Sequence, residues 1–435
     1  MSENGGNMGT RRILLVSYWY PRAIGAAAER VFGFAQHLPA NGWEVQVLTA
    51  ARPGSVPETP GVTVHSVTDP SARVEPFEDF DPRRRPSFWK KLGRQLVFPD
   101  RFWRWRKQAA RCGRGLMESR RFDAVLASFP PASAVQVGLA LVGGNSIPFA
   151  LDFRDRWFGP GGYEPIGSTF RRLHQRLQQK AVARATLILT VSDAMKEALL
   201  KEFNLREDRV VVLPNGYEII PRPEEEIAAT MDAASSETEA ATTGLKPGSL
   251  TIAHVGTVIP RNRPELFFDG LQKVRSDPRL EGVEFRFVGN LSRDYVREMG
   301  LQGLATTTGL LDRASATREM RKADALLLLT GAYVGQWGTS AKLFEYLQTG
   351  RPVLCLEECP GSNDRKLLEQ FVPERAFFAR LGDDDGLLEQ VERIRQYVAM
   401  HPQPAIVLDP AFRDYSRASL TGKLAQSLDR LVADK

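Results

Sequence analysis

Short apolar runs alternate with stretches of helical periodicity along most of the chain. Residues 12–17 and residues 44–49 form two short apolar runs. Between them, the apolar side chains of Val31, Phe34, Ala35 and Leu38 recur at the spacing of one face of a helix. A strand, a helix and a strand in this order are typical of a βαβ unit. The pattern therefore predicts a parallel sheet with crossover helices.

The same alternation continues in two series, which are separated by a segment of different composition. Further runs of strand length lie at 62–66, 124–127, 149–152, 187–191 and 210–213, and then at 250–255, 284–288, 305–307, 325–330 and 352–356. Residues 219–249, between the series, are rich in Glu, Ala, Ser and Thr. Such a segment has too few large apolar side chains to form a core.

Two series in 435 residues predict two tandem doubly wound, Rossmann-like domains of the α/β class. The predicted organisation is an N-terminal domain at 1–218, an acidic linker or insertion at 219–249, a C-terminal domain at 250–405, and a helical tail at 406–435 that can return to the N-terminal domain. Ligands of such sheets bind beyond the carboxyl ends of the strands. We therefore expect the two domains to face each other across a cleft.

The net charge of +6 is unevenly distributed. Residues 83–121 contain fourteen Lys and Arg side chains against two acidic ones, and Trp89, Trp103 and Trp105 are interleaved with them. Indole rings beside cations are typical of a surface at the headgroup region of an anionic membrane. We predict that these tryptophans face a membrane. A solvated basic helix and a nucleic-acid surface are the alternatives, and we expect no nucleic acid partner.

Several classes of protein are excluded by what the sequence lacks. Three scattered cysteines cannot form a disulfide framework, and no His or Cys pair accompanies them for a zinc site. No apolar run approaches the roughly 20 residues of a membrane span, and the polar first residues lack the apolar core of a signal peptide. We expect a cytoplasmic protein that contacts the inner membrane face peripherally and uses no metal or cofactor.

Two segments of the N-terminal series contain candidate chemistry. Gly25 lies in a small-residue loop after the first strand, which either exposes N–H groups to an anion or packs closely on the strand. Asp152, Arg154 and Asp155 lie at the end of the run at 149–152. These polar groups can bind hydroxyls or serve at a reaction centre, so Asp152 and Asp155 are candidate catalytic residues; the alternative is a helix cap with a local ion pair.

The corresponding loop of the C-terminal series contains Gly256, Thr257, Arg261 and Arg263. A glycine at a strand end lets the backbone approach a ligand, and arginine side chains bind diphosphates through paired hydrogen bonds. The loop is therefore a candidate diphosphate site, and an exposed basic loop is the alternative.

Residues 335–353 have the most informative pattern. Gly338, Thr339 and Ser340 form a turn that opens a helix with Lys342 and Glu345 in its first turns. The helix N-terminus and the lysine suit a phosphate, and the carboxylate suits ribose hydroxyls. A surface ion pair on an ordinary helix is the alternative.

In their order and spacing, these segments resemble the retaining glycosyltransferases of family 4, which have the GT-B fold. The resemblance extends over nearly the whole chain, through residues 13–21, 41–49, 190–192, 212–217, 254–257, 287–289, 308–311, 342–346 and 350–352. The segments at 128–131 and 152–155 are similar to a branch of the family found in bacterial surface-polysaccharide gene sets.

The resemblance implies a nucleoside-diphosphate sugar donor on the C-terminal domain. Glu345 would bind the ribose, Lys342 and either Arg261 or Arg263 the diphosphate, and the backbone near Leu310 the base.

The resemblance also implies a glycan or lipid-linked hydroxyl acceptor against the N-terminal domain, near Gly25, Asp152 and Arg154. Transfer would proceed with retention of configuration, and the leaving phosphate would help to deprotonate the acceptor. Nearby positive charges, rather than a metal, would stabilise the departing nucleotide.

Two departures from the family pattern bear on this interpretation. Trp337 occupies the position where the family commonly has a first Glu, and Thr257 and Asn262 occupy positions where many members have basic residues.

Two alternative functions remain on the same fold. One is a nucleotide-sugar epimerase or phosphorylase, and the other is a non-catalytic partner that binds a glycan or a nucleotide sugar.

Overall fold

The computed structural model describes residues 11–20, 26–50, 59–69, 80–83, 97–159, 163–164, 167–219, 249–402, 404 and 409–433. They form two compact units. The first contains the described residues of Met1–Val74, Pro86–Gly216 and Asp414–Lys435, and the second contains those of Glu75–Arg85 and Tyr217–Arg413. The predicted linker at 219–249 lies outside the described residues except at its two ends.

The first unit is built on a seven-stranded sheet in which all neighbouring strands are parallel. Its strands are β1 (Arg11–Val16), β2 (Trp43–Ala50), β3 (Val62–Val67), β4 (Ala124–Phe129), β5 (Phe149–Phe153), β6 (Leu187–Thr190) and β7 (Val210–Val212). Their spatial order is β3-β2-β1-β4-β5-β6-β7. The order reverses between β1 and β4, as in a doubly wound fold.

Helices connect these strands. They are α1 (Ala26–His37), α2 (Trp103–Ser119), α3 (Ala132–Val142), α4 (Gly167–Arg184) and α5 (Asp193–Phe203).

The second unit is built on a six-stranded sheet, again with parallel neighbours. Its strands are β8 (Leu250–Val255), β9 (Val283–Val288), β10 (Ala305–Gly309), β11 (Ala325–Thr330), β12 (Val353–Glu357) and β13 (Ala376–Arg380). Their order is β10-β9-β8-β11-β12-β13. The reversal lies between β8 and β11.

The helices of this part of the chain are α6 (Pro264–Val274), α7 (Arg293–Glu298), α8 (Arg313–Lys322), α9 (Ala332–Trp337), α10 (Ala341–Leu347), α11 (Asn363–Phe371) and α12 (Asp384–Met400). The last helix, α13 (Arg417–Ala433), belongs to the first unit.

Each sheet is buried on both faces. In the first unit, α2, α3 and α4 pack on one face, and α1 and α13 pack on the other. In the second, β11 reads Ala-Leu-Leu-Leu-Leu-Thr, and all six residues are buried. Continuous apolar strands are expected of a parallel sheet that helices cover on both sides. None of the described helices is both long enough and apolar enough to cross a membrane.

The predicted fold class is confirmed, with two differences in detail. β13 was not predicted, because its short Ala-Phe-Phe-Ala run is followed by a charged residue and only alternate side chains are buried. The predicted N-terminal domain also included residues 80–83, which the structure assigns to the second unit. Phe80 bridges Leu291, and its N–H donates to the carbonyl oxygen of Asn290.

Candidate functional site

The candidate donor site lies where the strand order of the second unit reverses. β8 has β9 on one side and β11 on the other. Loops that leave two such strands diverge and open a crevice at the carboxyl edge of the sheet. Gly256, Thr257, Arg261 and Arg263 lie in the loop between β8 and α6, and α10 follows β11 through α9.

Three glycines allow the loops at this edge to pack closely. Gly256 has a φ of 113°, and a Cβ atom there would lie 2.6 Å from Cε of Lys342. A Cβ atom at Gly289 would lie 2.3 Å from the carbonyl oxygen of Gly256, and one at Gly331 would lie 2.0 Å from that of Arg261. These contacts leave room only for glycine, so the loop after β8 is held between the loops after β9 and β11.

Lys342 brings a partly buried cation to this loop. Its Nζ donates to the carbonyl oxygen of Thr257 at 2.9 Å. Burial and, to a smaller degree, the charge of Arg261 lower the pKa of Lys342 to about 8, while the charges of Glu345 and Asp364 act in the opposite direction. An anion beside Lys342 and Arg261 would remove the repulsion between two like charges and favour the protonated lysine.

The two arginines of the loop have different surroundings. Arg263 is exposed and pairs with two carboxylates: its Nε lies 2.6 Å from Oε1 of Glu265 and its Nη1 lies 3.0 Å from Oε1 of Glu358. Arg261 is partly buried, lies over the ring of Tyr333 at 6.0 Å, and influences the pKa of Lys342. Of the two, Arg261 is therefore the arginine that shares its surroundings with Lys342.

Glu345 lies on the same helix as Lys342 and is partly exposed. Its Oε1 lies 3.4 Å from Nη2 of Arg313 at the start of α8. The carboxylate is thus held by a cation from a neighbouring helix, while an accessible part of it faces solvent.

The turn before α10 is anchored from beneath by Asp364, which is fully buried in the first turn of α11. Ser340 donates its backbone N–H to Oδ1 of Asp364 at 2.8 Å, and the hydroxyl of Thr330 donates to Oδ2 at 2.7 Å. Burial raises the pKa of Asp364 to about 6. The prediction that the N-terminus of this helix binds a phosphate is therefore corrected at Ser340, because the protein's own carboxylate accepts its N–H.

Gly338 and Thr339 form the rest of this turn, between α9 and α10. The carbonyl oxygen of Gly338 accepts from Nδ2 of Asn363 at 3.0 Å. Asn363 and Asp364, neighbours at the start of α11, thus hold both ends of the turn.

One buried side chain fixes α10 against the sheet, and a second connects β8 to β11 beneath it. The hydroxyl of Tyr346 accepts the N–H of Val255 at 2.8 Å. The Nδ1 atom of His254 lies 3.0 Å from the carbonyl oxygen of Leu327. Burial, with the charge of Lys342, lowers the pKa of His254 to about 3, so the imidazole is uncharged near neutral pH.

Leu310 lies just beyond the end of β10, at the carboxyl edge of the same sheet. Leu310 and Leu311 are 41% and 40% exposed, and among the described residues they are two of only four large apolar side chains with such exposure. An exposed apolar pair at a ligand-binding edge suits a planar base.

In the first unit, Asp152 is the centre of a buried ion pair. It is 0% exposed, and Nε and Nη2 of Arg30 lie 3.0 and 2.9 Å from its Oδ1. The hydroxyl of Ser128 donates to Oδ2 at 2.8 Å. This corrects the prediction that Asp152 is catalytic: it is enclosed and held by its partners, and its role is to position α1 against β4 and β5.

Arg154 extends this network rather than facing an acceptor freely. Its Nε donates to the hydroxyl of Ser128 at 3.0 Å, and its Nη2 donates to the carbonyl oxygen of Pro130. Asp155 is partly buried, one residue further along the chain. Gly25 lies outside the described residues.

The predicted membrane-facing tryptophans fall into three cases. Trp89 lies outside the described residues, and Trp103 is partly buried. Trp105 is 0% exposed and packs in the core of the first unit, 5.2 Å from the ring of Tyr18. Trp105 is therefore corrected to a core residue, because it lies on the inward stripe of α2 with Ala109 and Gly113.

Arg30 and Asp364 were missed by the sequence interpretation. A signal existed for Arg30, because it shares a helical face with the apolar Phe34, and a cation there requires a buried partner. No local signal marks Asp364, since an acidic residue in the first turn of a helix is ordinary. Within the described parts of the chain, no group of three His, Cys, Asp or Glu residues could hold a metal ion.

Comparison with known proteins supports the architecture. Residues 25–216 match the family model of the Glycosyl transferase 4-like domain. Sucrose-phosphate synthase from Thermosynechococcus elongatus is similar in structure at 14% sequence identity, over 98% of this chain and 100% of that chain, with a TM-score of 0.65. The chain has the glycosyltransferase-like GT-B fold.

Two further solved structures share this fold. One is WaaG, a glycosyltransferase involved in lipopolysaccharide biosynthesis, at 14% identity over 96% of this chain and 99% of that chain, with a TM-score of 0.52. The other is a UDP-N-acetylglucosamine 2-epimerase, at 12% identity over 98% of each chain, also with a TM-score of 0.52. No curated protein matches the chain in sequence.

Proposed function

We propose that the chain is a glycosyltransferase that moves a sugar from a nucleoside-diphosphate donor to a hydroxyl acceptor. The observation on which the donor assignment depends is the pair Lys342 and Arg261 beside the loop after β8. Two cations, one of them desolvated, at the topological switch point of a parallel sheet suit a diphosphate better than a neutral ligand.

In this proposal Lys342 and Arg261 bind the diphosphate, and Glu345 accepts hydrogen bonds from the ribose. Gly256 and Thr257 bring backbone close to the phosphates, and the exposed Leu310 lies against the base. Arg263 binds no phosphate, because Glu265 and Glu358 already hold it.

The proposed reaction breaks the bond between the anomeric carbon and the diphosphate oxygen. The acceptor oxygen forms the new bond to the anomeric carbon, and its proton passes to the departing phosphate. Lys342 and Arg261 stabilise the negative charge that grows on that phosphate, so no metal is required. Attack from the face that the phosphate leaves gives retention of configuration.

The acceptor is a glycan or lipid-linked hydroxyl, and the first unit is the part of the chain that we propose to bind it. Two observations support this assignment: the family model matches residues 25–216, and residues 128–131 and 152–155 resemble a branch of the family found in bacterial surface-polysaccharide gene sets. Asp155 is the carboxylate proposed to act near the acceptor, since Asp152 is enclosed.

The donor site is tested by calorimetry with a panel of nucleotide sugars and nucleoside diphosphates. Replacing Lys342→Met or Arg261→Ala should weaken binding by roughly 10- to 100-fold, because a charge-assisted hydrogen bond contributes about 1.5–3 kcal/mol. Binding of the nucleoside without phosphates should change much less.

Arg263→Ala is the matched control, since it removes an arginine from the same loop. It should leave diphosphate affinity within about threefold of the parent protein. Equal loss in Arg261→Ala and Arg263→Ala would reject the distinction between the two arginines, and no loss in Lys342→Met would reject the site.

A nucleotide-sugar epimerase is the competing function, and the structural similarity to an epimerase is the observation that favours it. Incubation with a nucleotide sugar in the absence of any acceptor separates the two. An epimerase converts the sugar while it stays attached to the nucleotide, whereas a glycosyltransferase leaves the donor intact apart from slow hydrolysis.

A further inference from the structure

The helices α2, α3 and α4 cover one face of the first sheet and present an unusual concentration of positive charge. Together they hold ten Lys and Arg side chains against one acidic residue, Glu118, in the last turn of α2. The whole chain has a net charge of only +6. The remainder of the molecule is therefore net negative, and the charge of these helices is a local property.

The cations are arranged on the solvent side. In α2, the exposed residues Arg104, Lys107, Arg111 and Arg114 recur at intervals of three and four, which places them on one helical face. Exposed residues of α4 continue this surface on the far side of α3. The basic face is defined here as Arg104, Lys107, Arg111, Arg114, Arg176 and Lys180.

The two helices belong to one continuous surface. α3 is largely buried between them, and a groove above it is lined by Lys107, Arg111 and Arg114 from α2 and by Lys180 from α4. α2 has 17 residues and α4 has 18. At 1.5 Å per residue the face is roughly 25 Å long. With about 9 Å between neighbouring helix axes, the distance from α2 across α3 to α4 makes it about 18 Å wide.

The cations of the basic face lack carboxylate partners in the part of the chain that the structure describes. Among those residues, none of the six forms an ion pair with a carboxylate. Arg104 and Lys107 instead lie over the ring of Trp103, at 5.3 and 5.6 Å from its centroid. Such a concentration of positive charge attracts anions from solvent or from an anionic partner.

In the part of the chain that the structure describes, the basic face offers charge and no strongly exposed large apolar side chain. None of the four strongly exposed large apolar side chains among the described residues lies on these helices. Trp105 is buried, and Trp103 is covered by its two cations. The described residues of this face thus provide no apolar side chain for insertion into a bilayer core and no open aromatic ring for the stacking contacts that single-stranded nucleic acids use.

We propose that the basic face is a docking surface for an anionic phospholipid bilayer, which it contacts at the level of the headgroup phosphates without inserting. A broad, gently curved array of cations complements a planar anionic surface, and each Lys or Arg near that surface contributes separately to attraction. This places the contact on the outer sides of α2 and α4, rather than on the tryptophans of the basic segment. The proposal does not depend on the proposed enzymatic activity.

The test is sedimentation of the full chain with vesicles of phosphatidylcholine alone and of phosphatidylcholine with roughly one-third phosphatidylglycerol. The protein should bind only the anionic vesicles. Raising NaCl from about 0.1 to about 1 M, which shortens the Debye length from about 10 to about 3 Å, should release it. The combined variant Lys107→Gln, Arg111→Gln, Arg114→Gln and Lys180→Gln should reduce the affinity at least about tenfold.

A matched variant removes four positive charges elsewhere: Lys201→Gln, Arg206→Gln, Arg297→Gln and Lys322→Gln. It should bind anionic vesicles nearly as the parent does, and both variants should keep the parent circular dichroism spectrum. Equal binding to neutral vesicles, or equal loss in the two variants, would overturn the proposal. Tighter binding of a short RNA oligonucleotide than of anionic vesicles would also overturn it and assign the face to nucleic acid.

Discussion

At the scale of single residues, Lys342 shows how neighbouring groups set the chemistry of a site. Gly256 provides the space that its side chain crosses, and Thr257 accepts its hydrogen bond. Burial lowers its pKa toward neutrality, so its charge depends on pH within a range where most lysines are fully protonated.

This lysine makes donor affinity sensitive to alkaline pH. The pKa of about 8 in the folded protein lies below the ordinary value of 10.5, so the proton is lost as pH rises through about 8. Binding of a nucleotide sugar should then weaken by up to tenfold per pH unit above 8, because the diphosphate selects the protonated form. Calorimetry between pH 7.5 and about 9.5 measures this effect.

Lys342→Arg separates this cause from others, since a guanidinium remains charged throughout this range. The variant should bind more weakly at pH 7.5 because its larger group crosses the same narrow passage beside Gly256. Its affinity should then stay flat with pH, and the same decline in both proteins would exclude Lys342 as the titrating group.

At the scale of elements, the turn between α9 and α10 depends on a residue from α11. Asp364 accepts hydrogen bonds from Ser340 and Thr330, and thereby connects the start of one helix to the end of β11. The short helix α10 therefore begins at a point that another helix determines, which holds Lys342 and Glu345 in place.

Replacing Asp364→Ala should loosen this turn. The N–H of Ser340 and the hydroxyl of Thr330 would lose their hydrogen-bond acceptor, so the free energy of unfolding should fall by about 1–3 kcal/mol. The affinity for the nucleotide sugar should also fall, although residue 364 touches no ligand in the proposed site. Asp364→Asn keeps an acceptor for Ser340 and should restore most of both properties. Denaturant titration and calorimetry measure the two effects.

The same carboxyl should give stability a distinctive pH dependence. Its pKa is raised to about 6 from an ordinary 3.8, so the folded state binds the proton more readily between those values. The free energy of unfolding of the parent, relative to Asp364→Asn, should therefore rise as pH falls from about 6 to about 4. A parallel pH dependence in the two proteins would contradict this assignment.

At the scale of the whole molecule, the first unit is completed by the other end of the chain. α13 places Leu420, Leu424 and Leu428 in the core around α1. Nη1 of Arg417 lies 3.0 Å from Oε2 of Glu29. A Cβ atom at Gly33 would lie 2.6 Å from Cδ of Arg417, so the two helices pack closely there. The termini of this unit are therefore folded together, although they are separated by nearly the whole sequence.

Leu424→Ala should destabilise the first unit by about 2–5 kcal/mol, since it leaves a cavity at a fully buried position. Donor binding, which we assign to the second unit, should be nearly unchanged at temperatures where both units are folded. Denaturant unfolding and calorimetry measure the two outcomes. Lys423→Ala, at an exposed position on the same helix, is the control. Loss of donor binding in Leu424→Ala alone would show that the units are not independent.

Local pattern determined much of this protein. The apolar runs predicted twelve of the thirteen strands that the structure describes, and glycines at strand ends with nearby cations indicated where a ligand site lies. These features are readable because burial on both faces requires continuous apolar strands, and because close approach of backbone requires glycine. Fold class and the location of the candidate donor site followed from them.

Tertiary structure alone decided which polar side chains are available. Asp152 and Asp155 look alike in sequence, but only Asp152 meets Arg30, 122 residues away, and is enclosed. Arg261 and Arg263 differ because Glu358, 95 residues from Arg263, pairs with Arg263. The partners of a charged group are set by contacts between distant segments, so only the folded chain shows that Asp152 and Arg263 are held by the ion pairs described above.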